Sequence, residues 1–212
     1  MKIALLHTAT GNVALFDAAA LHLGLPGGTL VHAVRADLLA AAETAGGLTP
    51  AIAGETAAVL RDLAARADAV VLACSTLGPS VDAVGAIEVP VLRVDDALAR
   101  EAASKGGRVV ALCTVETTLA PTTRLFEEAA RLTGARVDVR LVPGCWAMLK
   151  AGDLAGYHAA IAIAADRAYD DGAGIVALAQ ASMTGAADRV TRGPRPLTSP
   201  VCGLAAAARL LR

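Results

Sequence analysis

The sequence predicts an α/β fold of two pseudo-symmetric parallel-sheet α/β lobes facing each other across a cleft. Three observations predict it. Short apolar runs rich in Val, Leu and Ile alternate with alanine-rich stretches of helical length, the pattern of βαβ units around a parallel sheet. The second half of the 212 residues echoes the first at a single offset of 106 positions, without gaps. An apolar run, Ala69-Val70-Val71-Leu72-Ala73, ends abruptly on Cys74-Ser75-Thr76 before Gly78-Pro79, as a buried parallel strand gives way to a turn and a helix start.

In chain order, strands are predicted at 2–7, 29–34, 69–73, 89–94, 108–113, 136–142 and 174–179. Helices are predicted at 13–23, 52–67, 96–104, 121–133, 154–170 and 201–211. The repeat ties the two sets together. Lys2-Ile3-Ala4-Leu5-Leu6-His7-Thr8 lies over Arg108-Val109-Val110-Ala111-Leu112-Cys113-Thr114, with identities at Leu6/Leu112 and Thr8/Thr114. Gly28 falls on Gly134, Val31 on Val137, and residues 70–76 on 176–182, so that Gln180 is the counterpart of Cys74. Single matches mean little in so apolar a sequence, but three strand-and-turn units sharing one offset imply a duplication. The expected lobes are 1–94, to which a final helix in 197–212 returns, and 95–196, with 90–107 as the crossover.

Composition narrows the function. Hydrophobic residues make up 55%, yet Gly, Pro, His and charges interrupt every run before it reaches membrane-spanning length. The apolar run after Met1-Lys2 is too short for a signal peptide, so a cytoplasmic location is expected. With 19 basic and 20 acidic residues and no basic block interleaved with aromatics, nucleic acid is not an expected partner. Cys74, Cys113, Cys145 and Cys202 lack the spacing of a zinc site or a disulfide framework. No GxGxxG or GxxxxGK[ST] follows any strand, which argues against nucleotide binding.

The chemistry is expected at strand ends. In open α/β sheets ligands bind at the carboxyl ends of strands, where free backbone N–H groups can hold a carboxylate and lower a thiol's pKa. Cys74 stands there, although a free cysteine beside an apolar strand is also a common core residue. Glu116, just beyond Thr114 and opposite Thr10 in the repeat, is either an acid–base group or an acidic first-turn residue. Thr8, Thr10, Asn12, Thr114, Thr117, Thr118 and Ser182 are donors of the kind a carboxylate pocket needs, and any of them can equally cap a helix. His7 ends the first strand as a core histidine or a cleft acid–base. His32 lies within a strand and His22 and His158 on helices, with no role assigned. Trp146 walls a pocket or simply packs, while Lys150 and Arg35 pair with a carboxylate or stay solvated. Cys113, Cys145 and Cys202 read as structural.

Cys74-Ser75-Thr76 after an apolar strand, a matching turn in the second half, and Thr8 and Thr114 after each half's first strand resemble the aspartate/glutamate/hydantoin racemase superfamily over nearly the whole chain. The resemblance implies two α/β lobes with the active-site cleft between them and no metal or organic cofactor. It also implies one cysteine from each lobe on opposite faces of a carbon acid. Gln180, in Ala179-Gln180-Ala181-Ser182-Met183, stands where the second cysteine is expected, and glutamine neither takes nor gives a proton near neutral pH. A two-thiol racemisation therefore does not transfer. What remains implied is an enzyme acting on a small carboxylate with Cys74 as base or nucleophile and Glu116 as the second titratable candidate. Thr8, Thr10, Asn12, Ser75, Thr76, Thr114, Thr117, Gln180, Ala181 and Ser182 would line its substrate site. One-sided proton transfer, isomerisation or decarboxylation fits better than plain racemisation. The alternative is a catalytically silent carboxylate-binding protein; the sequence is also compatible with a homo-oligomer.

Overall fold

The computed structural model describes residues 1–104 and 106–212. They form two compact units, Met1–Ala97 with Pro200–Arg212, and Leu98–Ser199. The first holds a four-stranded sheet of β1 (Ile3–His7), β2 (Leu30–Val34), β3 (Ala69–Leu72) and β4 (Val91–Arg93) in the order β2-β1-β3-β4, every pair parallel. The second repeats that order as β6-β5-β7-β8, from β5 (Arg108–Cys113), β6 (Arg136–Leu141), β7 (Ile175–Leu178) and β8 (Leu197–Thr198).

The helices follow the same scheme. α1 (Asn12–His22), α2 (Ala36–Thr44), α3 (Pro50–Ala64) and α4 (Val94–Ala103) are matched by α5 (Leu119–Arg131), α6 (Cys145–Lys150), α7 (Leu154–Asp170) and α8 (Ser199–Leu210). Membership crosses over at the fourth helix of each half: α4 from Leu98 onward belongs to the second unit, and α8 from Pro200 to the first. Local chemistry starts the longer helices. Thr49 accepts from the Ile52 N–H at 3.3 Å with Pro50 at the first helical position, and Asp153 accepts from the Gly156 N–H at 2.9 Å.

Period-two alternation decides what each sheet face buries. Ala4 and Leu6 of β1 and Val70 and Leu72 of β3 join Leu38 of α2 and Leu60 and Leu63 of α3 in the first core. Val110 and Leu112 of β5 and Val176 and Leu178 of β7 join Tyr157, Ile161 and Ala165 of α7 in the second. Each fully buried leucine contributes roughly 1.5–3 kcal/mol. All four residues of β3 are inaccessible to solvent, which is why that strand reads as an unbroken apolar run rather than an alternating one.

The repeat is preserved best at the centre. Ile3 pairs with Ala69, and its counterpart Val109 pairs with Ile175, whereas the outer strands of the second sheet slip by one residue. Ile3 pairs with Leu30 but Val109 with Val137; Leu72 pairs with Arg93 but Leu178 with Thr198.

Several elements differ from the sequence expectation. β4 and α4 fall within the 90–107 crossover, where a strand at 89–94 and a helix at 96–104 are predicted, and position 105 lies outside the described residues; the differences are elsewhere. The segment after Gly78-Pro79 is a 3-10 turn, Gly78–Ala83, rather than an α-helix, and its repeat is Ala181–Arg189. α2, α6 and β8 were not expected: nine, six and two residues are too few to build a clear periodic signal. Among the described residues no helix is long and apolar enough to cross a membrane.

Candidate active site

Alternation continued past the strand ends brings the candidate residues to one face. After Leu6 and Leu72 the next residues of the same parity are Thr8 and Cys74. The Ala73 N–H donates to the Leu6 carbonyl at 2.9 Å, so the ladder runs one residue beyond β3. Burial is the largest influence on the Cys74 thiol and raises its pKa above the ordinary value, with the Asp95 carboxylate acting in the same direction. The Thr8 hydroxyl and the N–H groups of Leu77 and Thr76 bond the sulfur and favour the thiolate, but they do not overcome desolvation. The expectation of a lowered thiol pKa is thus corrected: the strand-end N–H groups are present, and the shielding from water outweighs them. Cys74 is nonetheless the least buried cysteine, at 9% exposed against 0% for Cys113 and Cys145 and 4% for Cys202.

Arg93 reaches the same turn from β4, a residue that sequence reasoning missed. Its Nε and Nη2 bond Asp95 Oδ1 and Oδ2 at 3.1 and 2.8 Å. The guanidinium lies against Gly78, where a Cβ would come within 2.7 Å of it. Glycine at 78 is what allows this close approach. In the second sheet the residue paired with Leu178 is the buried Thr198, where the first sheet pairs Leu72 with Arg93.

At the matching end of β7, the Ala179 N–H donates to the Leu112 carbonyl at 2.9 Å and delivers Gln180 beside Thr114. Gln180 Oε1 accepts from the Thr114 N–H at 2.9 Å and from its hydroxyl at 3.0 Å, and Nε2 donates to Thr118 Oγ1 at 3.0 Å. A backbone N–H can only donate, so the amide oxygen must face Thr114 and the orientation of the side chain is settled. Tyr157 OH, from α7, lies 3.2 Å from Thr114 Oγ1 and 2.8 Å from Ser182 Oγ. His158 Nε2, 3.0 Å from the Ser182 carbonyl, must carry the ring proton. Burial raises the Tyr157 pKa, so the phenol keeps its proton. No spacing rule pointed to Tyr157 or His158, since α7 meets this turn only through the fold.

The remaining candidates are placed as follows. Ser75 and Thr76 are half-buried beside Cys74, and Asn12 opens α1 half-buried, whereas Thr10 is exposed. Glu116 and Thr117 are exposed in the 3-10 turn Glu116–Thr118, and Ala181 is buried. His7 is a core histidine on the opposite face of β1, its ring 5.0 Å from Phe16. Its Nε2 lies 2.9 Å from His32 Nδ1, and His32 Nε2 lies 3.1 Å from Asp17 Oδ1. Arg35 is held at the surface by Asp37 and Glu55, and Lys150 sits 5.8 Å above the ring of Trp146. A concavity lined by Arg108, Arg136, Val137 and Asp138 lies at the amino ends of β5 and β6, away from the ends that carry these groups. Among the described residues no three His, Cys, Asp or Glu side chains are grouped to hold a metal ion.

Comparison with known proteins agrees with this architecture. Allantoin racemase from Klebsiella pneumoniae superposes with a TM-score of 0.70 at 18% identity, covering 100% of this chain and 87% of its own. Aspartate racemase from Picrophilus torridus gives 0.73 at 13% identity over 99% and 94%, and a glutamate racemase from Bacillus anthracis 0.66 at 14% over 99% and 81%. At such identities the likeness establishes the fold. No curated protein matches significantly by sequence. The family model described as Asp/Glu/Hydantoin racemase matches residues 3–210, and with the whole duplicated architecture inside that match, the chain belongs to the Asp/Glu/hydantoin racemase family.

Proposed function

We propose that the protein is a cofactor-independent, racemase-type enzyme acting on a small carboxylate, with Cys74 as base or nucleophile on one side only. The observation that carries this reading is the asymmetry between matched strand ends. After β3 stands a thiol bonded by one hydroxyl and two N–H groups. After β7 stands an amide tied to Thr114 and Thr118. Thr10, Asn12, Ser75 and Thr76 are the proposed carboxylate donors, and Glu116 is the second titratable candidate. The Thr114 N–H and hydroxyl, expected from the sequence to hold the carboxylate, are already engaged by Gln180.

In the base direction the thiolate sulfur takes the proton from the carbon beside the carboxylate, and the C–H electron pair delocalises into that carboxylate. The S–H then returns a proton to the same face. Decarboxylation uses the resting thiol instead: the C–C electron pair stays on carbon as carbon dioxide leaves, the thiol protonates that carbon, and water restores the thiol. The raised thiol pKa suits this second course, because the proton donor is the form already present.

Incubating small carboxylates in deuterated water tests the reading. The expected outcome is deuterium at the reacting carbon without loss of optical purity, or release of carbon dioxide, slowed roughly 10²–10⁴-fold in Cys74→Ala. Unchanged turnover in that variant overturns it. A second reading, a silent carboxylate-binding protein, is favoured by the absence of an acid or base at position 180. It predicts that small carboxylates slow Cys74 alkylation while no exchange occurs.

A further inference from the structure

We infer that the concavity at the amino ends of β5 and β6 is a binding site for hydrogen phosphate, held by Arg108 and Arg136 and closed to other tetrahedral anions by Asp138. The site lies within the second unit and does not rest on the function proposed above.

Register brings the two arginines together. Arg108 is the Cα partner of Arg136 across the parallel pair of β5 and β6, and paired residues of neighbouring strands, about 4.8 Å apart, project to the same face. Two positive charges placed side by side in this way repel. The nearby carboxylates are committed to a third arginine: Arg140 donates to Asp138 Oδ2 and to Asp171 Oδ2, each at 2.8 Å. Arg108 gives one N–H to the Asp171 backbone carbonyl, just past the end of α7. Among the described residues neither Arg108 nor Arg136 is bonded to a carboxylate.

Both arginines line a cavity of about 250 Å³ together with Val137 and Asp138. That is below the roughly 300–1,000 Å³ of sites for drug-sized ligands and suits a small oxyanion. Guanidinium groups are planar forks of N–H donors matched to oxyanion geometry, and an anion between two of them removes their repulsion. β5 carries Arg108 at one end and Cys113 at the other, roughly 16 Å away, so a ligand here does not compete for the groups beyond Cys113.

Asp138 narrows the choice. Its Oδ2 takes the Arg140 bond, its Oδ1 accepts no hydrogen bond among the described residues, and an ionised carboxylate can only accept. An anion drawn in by the arginines therefore meets a lone pair and must bring an O–H of its own. At about pH 8 inorganic phosphate still carries one, whereas sulfate and a phosphate monoester, whose second pKa is about 6, carry none.

Calorimetric titration of the full chain at about pH 8 and constant ionic strength, with phosphate, sulfate and methyl phosphate, compares three dianions of one shape of which only the first has a proton to give. Wild type is expected to bind phosphate at least about fivefold more tightly than either of the others, the worth of one hydrogen bond to a half-exposed carboxylate. Asp138→Asn puts an N–H within reach of the anion, so sulfate should gain and the ratio fall toward one. Arg136→Gln alters an exposed side chain whose guanidinium bonds nothing among the described residues, and should weaken phosphate at least about fivefold. Arg66→Gln removes an exposed charge from the first unit and should change nothing. Phosphate bound no better than the other two anions, a ratio unmoved in Asp138→Asn, equal weakening by Arg66→Gln and Arg136→Gln, or no binding at all overturns the inference.

Discussion

Gln180 and Thr114 are joined by two hydrogen bonds to one amide oxygen, at 2.9 and 3.0 Å, in the place where the first unit joins Cys74 to Thr8. The duplication has kept the threonine and changed its partner. Removing that partner has a calculable cost. Gln180→Ala leaves a buried N–H without an acceptor and is expected to lower stability by about 1–3 kcal/mol in urea denaturation. Gln180→Cys, which restores a weak acceptor at that place, should recover part of this.

Thr8→Val keeps the shape and removes the hydroxyl that bonds the Cys74 sulfur. The thiolate loses a stabilising partner, so the rise of Cys74 alkylation rate with pH should move to still higher pH. Mass spectrometry of iodoacetamide-treated protein reads this site by site, with Cys113 and Cys145, both inaccessible to solvent, as internal controls. An unmoved profile would mean that Thr8 does not govern this thiol.

Arg93 and Asp95 are both largely shielded, with side chains 18% and 9% exposed. Arg93→Met strands the carboxylate, at an expected cost of about 3–5 kcal/mol, and Arg93→Met with Asp95→Asn should recover much of it. The single variant should also move Cys74 alkylation to higher pH, because the Asp95 charge beside the thiol is no longer neutralised.

Folded His7 has its pKa lowered from 6.5 to about 4, chiefly by burial and next by the charge of His32, with Asp17 opposing. Between those values the unfolded chain binds the extra proton and the folded chain does not, so stability falls as pH drops from 6.5 toward 4. The loss is about 3 kcal/mol when complete. His32 reinforces it, since two imidazoles 2.9 Å apart cannot both present N–H across the same contact. Denaturation midpoints measured across this range should show the slope, and His7→Gln should flatten it.

Gly203 of α8 packs on Val94, where a Cβ would come within 2.6 Å of Val94 Cγ2. Val94 opens α4 directly after β4 and is 4% exposed, so it has little room to yield. Gly203→Ala is therefore expected to destabilise by about 1–3 kcal/mol despite alanine's better helix propensity, as thermal melting would register.

Much of this protein is written in local patterns. Apolar runs, alanine-rich intervals and one offset of 106 positions were enough to predict paired α/β halves, because strand parity and chain spacing are properties of neighbouring residues. They also put Cys74 and Gln180 at equivalent turns. Tertiary structure alone decided what those turns hold. The ionisation of Cys74 is a balance of desolvation against bonds from Thr8, Thr76 and Leu77, a sum over neighbours that spacing does not record. Tyr157 meets Thr114 from 43 positions away, and Arg93 meets the Cys74 turn only because β4 pairs with β3. Sequence determines which groups are available at a strand's end; only the packed fold determines which of them still have a proton or a lone pair to give.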